Sequence, residues 1–116
     1  MKLENLEIYN LAMDLGETVH EQVIKWDYFQ KDTIGKQLVK AVDSVAANLS
    51  EGVGRFHYKE KKNFSYYARG SLFETKTWLT KAKNRNQISE ELFNSLVTDI
   101  EKLGVKINNY IKTIGN

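Results

Sequence analysis

The chain has 116 residues, 41% of them hydrophobic and 28% charged, with no cysteine and no proline. That length fits one domain around one core; the lack of cysteine excludes disulfides, zinc–thiolate sites and thiol nucleophiles, and the lack of proline leaves long helices unobstructed. The net charge of +2 conceals an asymmetry, because residues 1–32 hold three basic and seven acidic side chains while residues 55–88 hold nine basic and two acidic ones, a pattern that suits attraction between subunits as well as a polyanionic partner.

Four segments place apolar residues at steps of three or four, and none alternates like a strand. The first helix is expected over residues 4–26, with Ile8, Leu11, Leu15, Val19, Val23 and Trp26 inward. Its opening, Met1 to Asn5, lacks the basic-then-apolar layout of a signal peptide. No apolar run approaches the roughly 20 residues of a membrane span, so a cytoplasmic protein with no membrane partner is expected. Residues 27–31 read as a loop. Helix two is expected over 33–50, capped by Asp32, with Ile34, Leu38, Ala41, Val42, Val45 and Leu49 as its seam. Gly52-Val53-Gly54 forms the second connection.

Helix three is expected over 57–83, burying Phe64, Tyr67, Ala68, Ser71, Leu72, Thr75, Trp78, Leu79 and Ala82. It contains Gly70-Ser71, and a mid-helix glycine costs roughly 1 kcal/mol against alanine, which predicts a backbone approaching closely there. Residues 84–87 form the third connection. Helix four is expected over 90–113, with Leu92, Leu96, Ile100, Leu103, Ile107, Tyr110, Ile111 and Ile114 inward. Ser89 is its N-cap, Glu90 and Glu91 suit the positive end of its dipole, and Ile88 with Phe93 forms a hydrophobic staple. Short connections make sequential helices antiparallel neighbours. The expected fold is all-α, an up-down antiparallel four-helix bundle over residues 1–116.

Two stripes remain once the core is assigned. On helix two, Gln37, Lys40, Ser44, Asn48 and Glu51 line up beside the seam. On helix three, Tyr66, Gly70, Phe73 and Thr77 lie roughly 120–180° from the core centre. Tyr66, Gly70, Phe73 and Thr77, with Gln37, Ser44, Asn48 and Glu51, are the candidate interface with further copies of the chain, since a second apolar stripe calls for a partner. Lys62, Arg69, Lys76 and Lys83 recur every seven residues beside Phe73, with Lys59 and Arg55 nearby. These six cations are the candidate nucleic-acid contacts: they would neutralise phosphates and release counterions, and Tyr66 or Phe73 would stack on bases wherever assembly leaves them open.

Catalytic chemistry finds little support. Glu17-Thr18-Val19-His20 matches one Glu-x-x-His pair of a di-iron bundle, but such sites need two pairs and two more carboxylates, all inward. Gly52-Val53-Gly54-Arg55 lacks the Lys-Ser/Thr ending and the preceding strand of a nucleotide-binding loop. Glu51 and Arg55 read as an ion pair bracing the junction. No catalytic residue, metal or cofactor is expected.

The run Gln37-Leu38-Val39-Lys40-Ala41-Val42-Asp43-Ser44-Val45-Ala46-Ala47-Asn48-Leu49-Ser50-Glu51-Gly52-Val53-Gly54-Arg55, continued by Ala68, Gly70, Ser71, Leu72 and Glu74, resembles the four-helix-bundle family of 23S rRNA intervening-sequence proteins. The accessory proteins of diversity-generating retroelements belong to the same broad group. Lys40 stands where the family usually has arginine, Ala46 where proline is frequent, His57 where serine opens helix three, and Lys61 where an apolar residue is common. The resemblance implies a ring-shaped homo-oligomer, typically a pentamer, with no established catalytic activity. The retroelement relatives further imply RNA and a reverse transcriptase as partners, while the basic face of helix three suits RNA or DNA alike.

Overall fold

The four apolar seams become four α-helices in a computed structural model, which describes residues 1–115. They are α1 (Glu7–Val23), α2 (Lys36–Val53), α3 (Tyr58–Asn84) and α4 (Glu90–Thr113), with a single 3-10 turn at Leu3–Asn5 ahead of α1. No strand occurs among the described residues. Pairs across the interfaces give the directions. Arg69 meets Asn108 and Lys76 meets Glu101, so α3 and α4 run antiparallel. Glu7 meets Lys106, the end of α1 at Val23 lies on Gly35 just before α2, and Gly52 faces Phe64, so the other neighbours are antiparallel too. The result is an elongated up-down bundle of 46 × 23 × 20 Å, as the connections require.

The entry to α2 departs from the sequence expectation. Asp27, not Asp32, is the cap: its carboxylate accepts the Gln30 backbone N–H at 3.0 Å. The segment read as a loop is one α-turn, Tyr28–Gln30, followed by a π-helical stretch, Lys31–Gly35, that runs directly into α2. Asp32 instead sits within that stretch and reaches Lys36 at 3.7 Å. The wider π turn keeps Ile34 and Gly35 both buried. At Gly35 the backbone lies directly on the end of α1, and a Cβ there would stand 2.7 Å from Val23 Cγ1 and 3.1 Å from the Gln30 carbonyl oxygen. Valine is stiff and the carbonyl is backbone, so Gly35→Ala should destabilise the fold by about 1–3 kcal/mol, measured by denaturant unfolding.

Core packing follows side-chain size. α2 and α3 form the most extensive pair, and both bury small residues, Ala41, Ala46 and Gly52 on α2 and Ser65, Ala68 and Ala82 on α3. A Cβ on Gly52 would sit 3.2 Å from Phe64 Cβ and 3.3 Å from the Lys61 carbonyl oxygen. The close backbone approach expected at Gly70 is therefore found at Gly52; no atom of the chain lies within 4 Å of a Cβ built on Gly70. α4 offers larger side chains, Leu96, Ile100, Leu103 and Ile107. Buried Ser65 and Thr75 are satisfied by the carbonyls of Lys61 (3.0 Å) and Ser71 (2.8 Å).

Two residues expected inward lie outside. Leu11 is 37% exposed and Tyr67 57%. Ala12 takes the buried position on α1, one turn on from buried Ile8, and lies with Gly16, Ala46 and Ala47 on the wall of a cleft between α1 and α2. Tyr67 meets the Phe64 ring edge-on at 5.4 Å. The start of α4 is as expected: Ser89 Oγ accepts the Leu92 N–H at 3.0 Å, Ile88 is buried and Phe93 packs against the core.

Candidate nucleic-acid interface and the outer face of α3

A 27-residue helix carries a seven-residue repeat along one edge, with successive members about 10 Å apart. On α3 that edge faces α4, and it holds Lys62, Arg69, Lys76 and Lys83. Arg69 Nη1 donates to Asn108 Oδ1 at 2.8 Å and its guanidinium lies 5.0 Å from the Tyr66 ring centroid. Lys76 Nζ is 3.5 Å from Glu101 Oε1, with the two side chains 43% and 66% exposed. Lys83 Nζ lies 4.4 Å over the Phe93 ring. Lys62 is half-buried and likewise engaged with neighbouring groups. These contacts hold the cations in a row while leaving them partly in water. Lys59 is exposed one turn before Lys62.

Arg55 does not join that row. Its Nη2 donates to Glu51 Oε1 at 2.6 Å and its guanidinium sits 4.8 Å over the Phe64 ring, on the α2 side. The pair braces the α2–α3 junction, as the i, i+4 spacing suggested. Lys61 adds to the brace by donating to the Val53 carbonyl at 3.2 Å. His57 occupies the N-cap of α3 without a side-chain hydrogen bond to the helix, consistent with a weak capping residue.

The outer face of α3 lies opposite its core side. Phe73 is 66% exposed and Tyr66 44%. Thr77 is exposed and its hydroxyl donates to the Phe73 carbonyl at 3.4 Å. Of the α2 stripe, Gln37 and Glu51 are exposed while Ser44 and Asn48 are half-buried, the Asn48 amide donating to the Ser44 carbonyl at 2.9 Å. One residue of the apolar surface was not anticipated. Val105 on α4 is 60% exposed and shares with Phe73 an apolar cleft of about 280 Å³, floored by Leu72, Ile100 and Gly104. The available signal was an apolar β-branched side chain at a position the α4 seam does not use.

A second cleft, between α1 and α2, holds Glu17 and Asp43. Burial pushes the Asp43 carboxyl above the ordinary aspartate range, the Glu17 charge adds to the rise, and His20 opposes it. Ionised Asp43 is thus tolerated less well folded than unfolded. Its stabilising influence is complete in acid, below the unfolded value, and is lost as pH rises through the raised folded value. Asp43→Asn should melt higher than wild type near neutral pH, and the gain should vanish in acid. No group of three or more potential metal ligands occurs among the described residues, and none of their helices is long and apolar enough to cross a membrane.

Residues 4–109 match the sequence model of the family described as 23S rRNA-intervening sequence protein. No curated protein matches the chain. Among solved structures, the crystal structure at 1.70 Å of a protein with unknown function from the S23 ribosomal protein family of Bacteroides thetaiotaomicron aligns with a TM-score of 0.81. The alignment covers 91% of this chain and 99% of that one at 17% identity, a likeness of fold.

Proposed function

The chain belongs to the 23S rRNA-intervening sequence protein family, and from that premise we propose that it is a non-enzymatic, cytoplasmic homo-oligomer that binds nucleic acid, RNA above all, through the basic edge of α3. The observation that carries this reading is the alignment of Lys62, Arg69, Lys76 and Lys83 along one edge, beside the exposed Phe73. A solvent-exposed ion pair such as Lys76–Glu101 is worth about 0–1 kcal/mol, so a phosphate can take the lysine at little cost. Assembly into a ring, a pentamer by resemblance, would cover Tyr66, Gly70, Phe73 and Thr77 and repeat the cationic edge once per subunit, raising avidity.

The test is affinity for a labelled RNA across a salt series, with light scattering on the same samples. Steeply salt-dependent binding by an oligomer is expected; no binding at low salt overturns the reading. One observation favours a second reading. The exposed side of α1 is acidic, with Asp14, Glu17 and Glu21 in water, so the basic edge can pair with α1 of a neighbouring copy. The protein is then a scaffold, for example for a reverse transcriptase, without nucleic-acid affinity. In that case salt dissociates the oligomer and added RNA changes nothing.

A further inference from the structure

The α2–α3 connection, which neither the fold nor the basic edge accounts for, carries Phe56. Its side chain is 87% exposed, more than any other aromatic ring among the described residues. It meets His57 edge-on, with ring centroids 5.2 Å apart and planes at 88°, and takes no part in the hydrophobic core. The surroundings are cationic. Within residues 55–62 the sequence Arg-Phe-His-Tyr-Lys-Glu-Lys-Lys supplies four basic residues against one acidic. Arg55 is pinned by Glu51 and Lys61 by the Val53 carbonyl, so both charges are held in place beside the connection. Tyr58 is half-exposed, its ring set against Gly115. From this tip the cationic edge of α3 begins at Lys62 and runs down the bundle.

We propose that this tip is a stacking site for unpaired bases, with Phe56 as the platform and the strand's phosphates led onto the α3 edge. The proposal rests on the nucleic-acid reading above and narrows its ligand to single strands. An aromatic face accepts any base, but a base inside a duplex has no free face to offer. A row of lysines, by contrast, does not distinguish the two forms. A small aromatic tip among cations also differs from a membrane-binding surface, which buries a broad apolar face.

The experiment measures fluorescence anisotropy with a labelled single-stranded RNA of about 20 nucleotides, the DNA of the same sequence and the RNA duplex. The proteins are wild type, Phe56→Ala and Phe56→Leu. Single strands should bind about tenfold more tightly than the duplex. Phe56→Ala should lose about tenfold on single strands, with the salt slope, duplex affinity and melting temperature unchanged. Phe56→Leu, which keeps bulk without a π face, should behave like the alanine variant. Equal affinity of wild type and Phe56→Ala for single strands overturns the proposal and, if wild-type binding stays steeply salt-dependent, leaves the α3 reading standing. No binding of any nucleic acid overturns both. Vesicles of anionic phospholipid serve as a further arm: vesicle binding lost in Phe56→Ala, with nucleic-acid binding intact, assigns the tip to a lipid surface and overturns the proposal.

Discussion

Arg69→Gln/Lys76→Gln/Lys83→Gln should weaken RNA binding by about two to three orders of magnitude near 0.1 M salt and flatten the log–log salt slope by about two to three. Each phosphate contact contributes about 0.7–0.9 to that slope, and three aligned cations on one helix edge can engage one backbone together. The fold should survive the triple change. The Lys76–Glu101 pair is half in water, and such pairs contribute about 0–1 kcal/mol each. Arg69 and Lys83 lie against Tyr66 and Phe93 rings at the surface, where glutamine retains part of the packing. The control is Lys102→Gln/Lys106→Gln/Lys112→Gln on α4, which changes net charge equally while sparing the α3 row. If both triples lose affinity alike, binding answers to net charge alone and the α3 edge is not the interface. If neither loses any, the scaffold reading replaces it.

Much of this architecture is legible in the residues, and the exceptions have physical causes. The helical existence of all four segments follows from large apolar side chains at steps of three and four, and Ser89 announces α4 because a serine before two glutamates satisfies free N–H groups and the dipole at once. The start of α2 is hidden because Asp27 and Asp32 are equally good caps locally, and the π stretch shifts the phase of the 3.6-residue period. Leu11 and Ala12 exchange roles because hydrophobicity favours the leucine, whereas the helix phase shared with buried Ile8, Leu15 and Val19 turns Ala12 inward. Gly52 and Gly70 look alike in sequence; only the neighbouring helix shows that the first is crowded and the second bare. The heptad of cations on α3 was visible from spacing. Their holders, Asn108, Glu101 and Phe93, lie on another helix and were not. Phe56 carries no such signal, because a residue outside every helical pattern has no periodicity to mark it.

Phe73→Glu should reduce self-association about a hundredfold or more, leaving a folded single subunit in sedimentation or light scattering at concentrations where wild type is oligomeric. Burying a phenylalanine is worth about 1.5–3 kcal/mol, and 1.4 kcal/mol is tenfold in an association constant. A carboxylate in its place adds a desolvation cost of its own. The subunit itself loses nothing, because Phe73 is already 66% exposed and lies outside the core. Val105→Asp, across the shared cleft, should act in the same direction. Gly70 sharpens the test, since nothing in the chain stands within 4 Å of its missing Cβ. In an isolated subunit, Gly70→Ala relieves roughly 1 kcal/mol of helix cost and raises the melting temperature. Against a closely packed copy, the same methyl group pushes two helices apart. The expected outcome is thus opposite signs in one variant: a more stable subunit and a weaker assembly. Wild type running as a single subunit at every concentration, with Gly70→Ala stabilising and nothing else changed, would remove self-association from the account.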